Sequence, residues 1–189
     1  MRLFGSLTSP YVRHCRIALA QADLDHELVA TDYAASARQS PTQRVPFLED
    51  GDLRLTDSAS ILRHIRERQG QAFLPNIEDF DFFLLAGTAL DTVVNLFLLE
   101  RDGVTPDACA YLQRQRDRVD SSLAELQRRL ATHPARTRPM QSDALLRLGC
   151  FLAWATFRNR LTLEPQDPLN ELLTLLETDS TFARTRPVA

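Results

Sequence analysis

Lysine is absent: all 22 basic residues of this 189-residue chain are arginine. No side-chain amine is therefore available as a Schiff-base former or a lysine general base. Cysteine is scarce. Cys15, Cys109 and Cys150 lack metal-ligand spacing, and their odd number argues against a disulfide framework. No metal site is expected, and the expected setting is the reducing cytoplasm. Charge of one sign is lacking too, with a formal net charge of −3 and no dominant basic face, so nucleic acid is not an expected partner. The densest cationic run, Arg128 to Arg138, reads as a helix end entering a loop, where cations favour the dipole. The start of the chain has no apolar core of the signal-peptide kind, and no stretch reads as apolar enough to span a bilayer. A membrane is likewise not expected, and no repeat or low-complexity segment interrupts the chain.

What is present is an ordinary globular balance, 44% apolar and 25% charged, arranged in two different patterns. The first third alternates element types. "RLFG" reads as a strand, Pro10 to about Ala22 as a helix and "HELVAT" as a second strand, with a short helical piece near Ser36. "VPFLED" and "LRLT" form two strands joined by "DGD", a hairpin turn signal. "DSASILRHIRERQG" is a helix with Asp and Ser at its start and Gly70 at its end. After a linker at 71–77 no strand pattern remains. Glu78 to Arg101 is apolar almost all round and predicts a buried helix. Thr105 to about Ala131 carries a stripe of Cys109, Leu112, Val119, Leu123, Leu126 and Leu130, with Arg116 in its one gap. Helices follow from Ser142 and from Pro168. The expected architecture is an α/β domain over 1–76 and an all-α domain over 77–189.

Three short segments carry the chemistry. In "SPYVRHCR", Ser9 before Pro10 predicts an N-cap and a first-turn proline. The same turn presents unpaired amides and a positive dipole end, which favour a thiolate, and the Ser9 hydroxyl could donate to it. Ser9 is no redox centre; a dithiol oxidoreductase requires cysteine there. In "RVPFL", Val45-Pro46 enters a strand, which suits either an edge strand or a cis bond that leaves the Val45 backbone for a bound peptide. In "LTDSASIL", Asp57 and Ser58 start a helix directly after a strand; they either cap it or take a carboxylate on its amides. Together the three suit a small, thiol-bearing, γ-linked tripeptide.

On "SPYVRHCR" and "VPFLEDGDLRLTDSASI", about thirty residues apart, the first 76 residues resemble the thioredoxin-like domain of a glutathione S-transferase. The two-part layout and the tail "STFARTRP" are similar to short bacterial members of that family. The resemblance implies glutathione as co-substrate, with Ser9 toward the thiol and Val45 pairing with the cysteinyl backbone beside cis-Pro46. It further implies Asp57 and Ser58 on the γ-glutamyl end and Arg44 near the glycine carboxylate. It implies an enzyme adding glutathione to small electrophiles as a detoxifying homodimer, the acceptor lying between the two domains. The alternative is a non-catalytic relative that keeps the fold for partner binding or stress regulation. The chain departs from the family where Asn-Pro-x-Gly is common, having "SPTQ" at 40–43. It also departs at the start of the core helix, where the fourth capping-box position is Leu145, leaving Ser142 as the cap.

Secondary candidates are Thr8, close enough to compete with Ser9, and Tyr11 and Trp154 as second-site residues. Cys15, Cys109 and Cys150 read as core, His14 as an exposed helix histidine, and Arg13 or Arg16 as an anchor for the helix or a contact to the peptide.

Overall fold

The computed structural model describes residues 1–188. Four strands and eight α-helices follow one another as β1 (Arg2–Gly5), α1 (Pro10–Gln21), β2 (Glu27–Ala30), α2 (Tyr33–Gln39), β3 (Phe47–Asp50), β4 (Leu53–Leu55) and α3 (Ser58–Arg68). Then come α4 (Ile77–Arg101), α5 (Ala110–Leu130), α6 (Asp143–Phe157), α7 (Pro168–Glu177) and α8 (Ser180–Arg184). Contacts group them into two units. One contains residues up to Phe73 together with those from Glu177 onward; the other is Leu74–Leu176. The sequence assigned all of 77–189 to the helical domain, but the structure places the tail with the first unit, because α8 packs on α1.

In the first unit the sheet order is β2-β1-β3-β4. β1 runs parallel to β2 and antiparallel to β3, and β3 runs antiparallel to β4. Leu3, Phe4, Phe47 and Leu48 are all buried, as continuous apolar runs require of central strands. The register sets Phe4 opposite Phe47, and their rings stack with centroids 4.3 Å apart. Gly51, in the β3–β4 turn, has φ +60°, the left-handed region that glycine enters without penalty. α1 and α3 pack against each other, and Gln21 joins them by accepting from Arg66 at 2.7 Å.

The β1–α1 connection depends on one missing methyl group. A Cβ at Gly5 would lie 2.4 Å from Val12 Cγ2, closer than atoms can approach. Glycine at the end of β1 lets the first turn of α1 close onto the strand.

In the second unit α4 packs on α5 and α6. α6 is buried without interruption from Ala144 to Leu152. Ser142 caps it, accepting from the Leu145 amide at 3.3 Å. α4 is one-sided, not buried all round: Phe82, Phe83, Ala86 and Leu90 face inward while Ile77, Phe80 and Leu84 are exposed. By length and composition α4 could also cross a membrane, contrary to the expectation that no stretch is apolar enough; a core helix meets the same criterion. On α5 the gap at Arg116 is filled by buried Gln115. Cys109 is exposed, since it precedes α5 as its N-cap and is off the stripe, while Cys15 and Cys150 are buried. His14, expected at the surface, is fully buried. α1 turns nearly its whole circumference inward from Val12 to Cys15.

Candidate functional site

The sheet topology places three chain segments at one end. β1 ends at Gly5 and leads to the α1 N-terminus. β3 runs the opposite way and begins at Phe47, opposite Phe4, so Val45 and Pro46 lie beside the outgoing β1. β4 runs back and ends at Leu55, opposite Leu48, so Asp57 and Ser58 emerge at the same end. From β1 to β4 is two strand spacings, roughly 10 Å. Two helix N-termini therefore face one sheet end with the β3 entry between them, an arrangement suited to an anionic, partly peptidic ligand.

At α1, Ser9 is the N-cap, with extended backbone and an Oγ that accepts from the Val12 amide at 3.3 Å. The Ser9 hydroxyl hydrogen has no role in that bond and can donate to an anion. Pro10 occupies the first helical position, and no acidic residue sits in the first turn to oppose negative charge. Thr8 is differently engaged, its Oγ1 sharing a 2.9 Å hydrogen bond with Ser6 Oγ. Ser9 is half-buried, which leaves it reachable. Further along α1, burial and then the neighbouring Arg13 charge lower the Arg16 guanidinium pKa.

The Val45–Pro46 bond is cis. Val45 stands just outside β3, and among the described residues its amide and carbonyl make no backbone hydrogen bond. It is half-buried and flanked by exposed Arg44, which follows Gln43 with φ +54°. At α3, Asp57 is the N-cap: its Oδ1 accepts from Ala59 N–H at 2.7 Å and its carbonyl accepts from Ser60 Oγ at 2.8 Å. Ser58, the first residue of α3, is buried. Thus Ser9, Val45, Pro46, Asp57 and Ser58 all lie at this sheet end, with Thr8, Tyr11 and Arg44 on the same segments. Trp154 belongs to the second unit, where it is buried edge-on against Phe97 with centroids 5.6 Å apart. Among the described residues no group of three or more His, Cys, Asp or Glu could hold a metal ion.

Sequence reading left open what Arg13 anchors. Its partners are Glu177, Phe182 and Thr185, more than 160 positions away, and no local pattern reports such a contact.

Residues 3–73 match the family described as the glutathione S-transferase N-terminal domain. Glutathione S-transferase 4 of Zea mays is 28% identical over 157 residues, covering 72% of this chain and 66% of that protein. The chain spans about a third of the other plant relatives it matches. The crystal structure of a glutathione S-transferase from Methylobacillus flagellatus with glutathione bound superposes with a TM-score of 0.85. That pair is 23% identical, and 99% of each chain is covered. A glutathione S-transferase from Methylobacterium radiotolerans, in complex with glutathione sulfonate, gives a TM-score of 0.83 at 24% identity, covering 100% of this chain and 95% of that one. At these identities the structural likenesses establish the fold, a thioredoxin-like domain with a helical domain.

Proposed function

We propose that this chain is a member of the glutathione S-transferase family that binds glutathione across the end of its sheet and adds the thiolate to small electrophiles. The observation that carries the reading is the convergence of two helix N-termini and the β3 entry at one sheet end, about 10 Å wide. An extended tripeptide reaches about 10 Å, so one molecule can touch both helix starts. In this arrangement the γ-glutamyl carboxylate sits on the amides beside Asp57 and Ser58. The cysteinyl backbone pairs with Val45 next to Pro46, Arg44 lies toward the glycine carboxylate, and the sulfur rests against Ser9.

The chemistry then needs little from the protein beyond orientation and charge stabilisation. The α1 dipole and the Ser9 hydroxyl favour the thiolate, and the thiol proton leaves to solvent. Sulfur donates an electron pair to the electrophilic carbon, forming a C–S bond while a leaving group departs or a π bond takes up the displaced pair. Three cysteines outside any disulfide support work in the reducing cytoplasm, with removal of reactive electrophiles as its use. The exposed face of α4, with Ile77 at 75%, Phe80 at 38% and Leu84 at 47% exposure, supports a homodimer. Sedimentation equilibrium reads that directly, and a monomer at working concentration overturns it.

Ser9→Ala tests the chemistry. A hydrogen bond to a charged group contributes about 1.5–3 kcal/mol, so turnover of a generic electrophile such as a halodinitrobenzene should fall roughly 10- to 100-fold. Thr8→Ala should matter much less. If Ser9→Ala keeps full turnover, the thiol is held by another group.

A further inference from the structure

We infer that the C-terminal helix α8 is a positioning element for the first turn of α1, and that it acts through Arg13. This rests on the reading of Ser9 as the group that meets the thiol.

Arg13 is only 2% exposed. Its Nε donates to Thr185 Oγ1 at 3.3 Å, and its Nη2 donates to the Phe182 carbonyl at 2.8 Å and lies 3.4 Å from Glu177 Oε1. The guanidinium stacks 3.9 Å from the centroid of the Phe182 ring. Nη1 is buried without a hydrogen-bond partner. A buried, incompletely satisfied guanidinium is a poor choice for stability alone, because an apolar side chain of that size avoids the desolvation cost. What arginine supplies here is direction. Its planar fork fixes α1 against α8 in one rotation and at one height, which a shapeless apolar contact does not do.

Both ends of this connection are braced. The Arg13 amide donates to the Ser9 carbonyl at 3.0 Å, closing the first turn of α1 on the capping serine itself. On the other side, Asp179 caps α8 through the Thr181 and Phe182 amides at 2.7 and 3.2 Å. Thr185 Oγ1 also lies 2.9 Å from the Phe182 carbonyl, and Arg186 pairs with Glu177 at 2.5 Å. The tail is thus a preformed platform, and Arg13 transmits its position one helical turn back to Ser9. Asp57 caps α3 through the Ala59 amide and Ser58 is the first residue of that helix, so the γ-glutamyl end of the ligand belongs to a different helix from the one Arg13 fixes. Arg13 is a positioning residue: it sets where the serine hydroxyl points without meeting the sulfur.

The test compares Thr185→Val, which removes one acceptor while keeping the shape, with Arg13→Met, which fills the space without the fork. Arg184→Gln on the exposed side of α8 is the control. For both test variants kcat should fall about fivefold, because small misplacements of a reacting group are expensive. KM for glutathione should stay within about twofold, since the carboxylate grip is untouched. Amide exchange of Val12 and Arg13 should quicken in the folded variants, and Arg184→Gln should match the parent protein in every readout. The inference is overturned if folded Thr185→Val keeps parental kcat and parental exchange at Val12 and Arg13. It is also overturned if the fall in kcat disappears once kcat is expressed per folded enzyme. Should Arg13→Met not fold, Thr185→Val decides. If the parent protein fails to bind or turn over glutathione, the reading of the site falls, and the exchange measurement still decides whether α8 holds α1.

Discussion

The two units place their polar residues differently. In the first, polar groups lie at strand ends and helix starts, and several are buried: Arg13, His14, Ser36, Ser58 and Arg66. In the second, the central helix α6 is buried continuously from Ala144 to Leu152, with Arg147 the charged exception, and it stacks over the Phe83 ring. The second unit buries polar groups too, Gln115, Ser122 and His133 among them, but its central helix contributes mainly apolar area. The first unit, by contrast, sets its buried polar groups around the small sheet. It follows that a substitution in the helical unit should act mainly on stability, whereas one in the first unit should also displace groups at the sheet end.

The largest expected effect belongs to the second unit. Phe151 is fully buried in α6, and Phe151→Ala should cost about 3–5 kcal/mol in denaturant unfolding, while the folded fraction retains the parental affinity for glutathione. A folded fraction with altered affinity breaks the division between the units. Next comes Gly5→Ala. The new methyl group meets Val12, whose branched side chain has little freedom to turn aside, and overpacking of this kind costs about 1–3 kcal/mol. Here glutathione affinity should fall as well, because α1 is pushed from the strand. Adding Val12→Ala should restore part of both losses, and no restoration means that the close approach is not the cause.

The smallest effect concerns His133 in the second unit. Its Nδ1 accepts from the Ala135 amide at 3.2 Å, and its Nε2 lies 3.1 Å from Asp79 Oδ1. Burial first, and Arg129 beside it, lower the imidazole pKa, with Asp79 opposing. The folded state therefore holds the neutral ring at pH values where the unfolded chain binds a proton. Stability is unaffected well above the unfolded value of about 6.5 and declines as pH falls through it, levelling off below the folded value. His133→Gln should flatten that part of the pH–stability curve, and an unchanged slope contradicts the assignment.

Legibility followed the range of the interactions. The α1 and α3 starts were readable from "SP" and "DS" because capping is local chemistry, and the hairpin was readable from "DGD". The stripe on α5 was largely readable too, but exposed Cys109 was not, since periodicity continued past a helix start that only the fold reveals. His14 was misjudged because α1 lies between α3 and α8, and the second of these neighbours comes from the far end of the chain. For the same reason the tail was assigned to the wrong unit: an amphipathic segment after three long helices carries no mark of the surface that receives it.

The most direct measurement is a crystal structure of this protein grown with glutathione. The account predicts one molecule across the sheet end, its sulfur within hydrogen-bonding distance of Ser9 Oγ, its cysteinyl amide and carbonyl paired with Val45, and its γ-glutamyl carboxylate on the Ser58 amide. Glutathione bound elsewhere, or bound here with its sulfur turned away from α1, contradicts it.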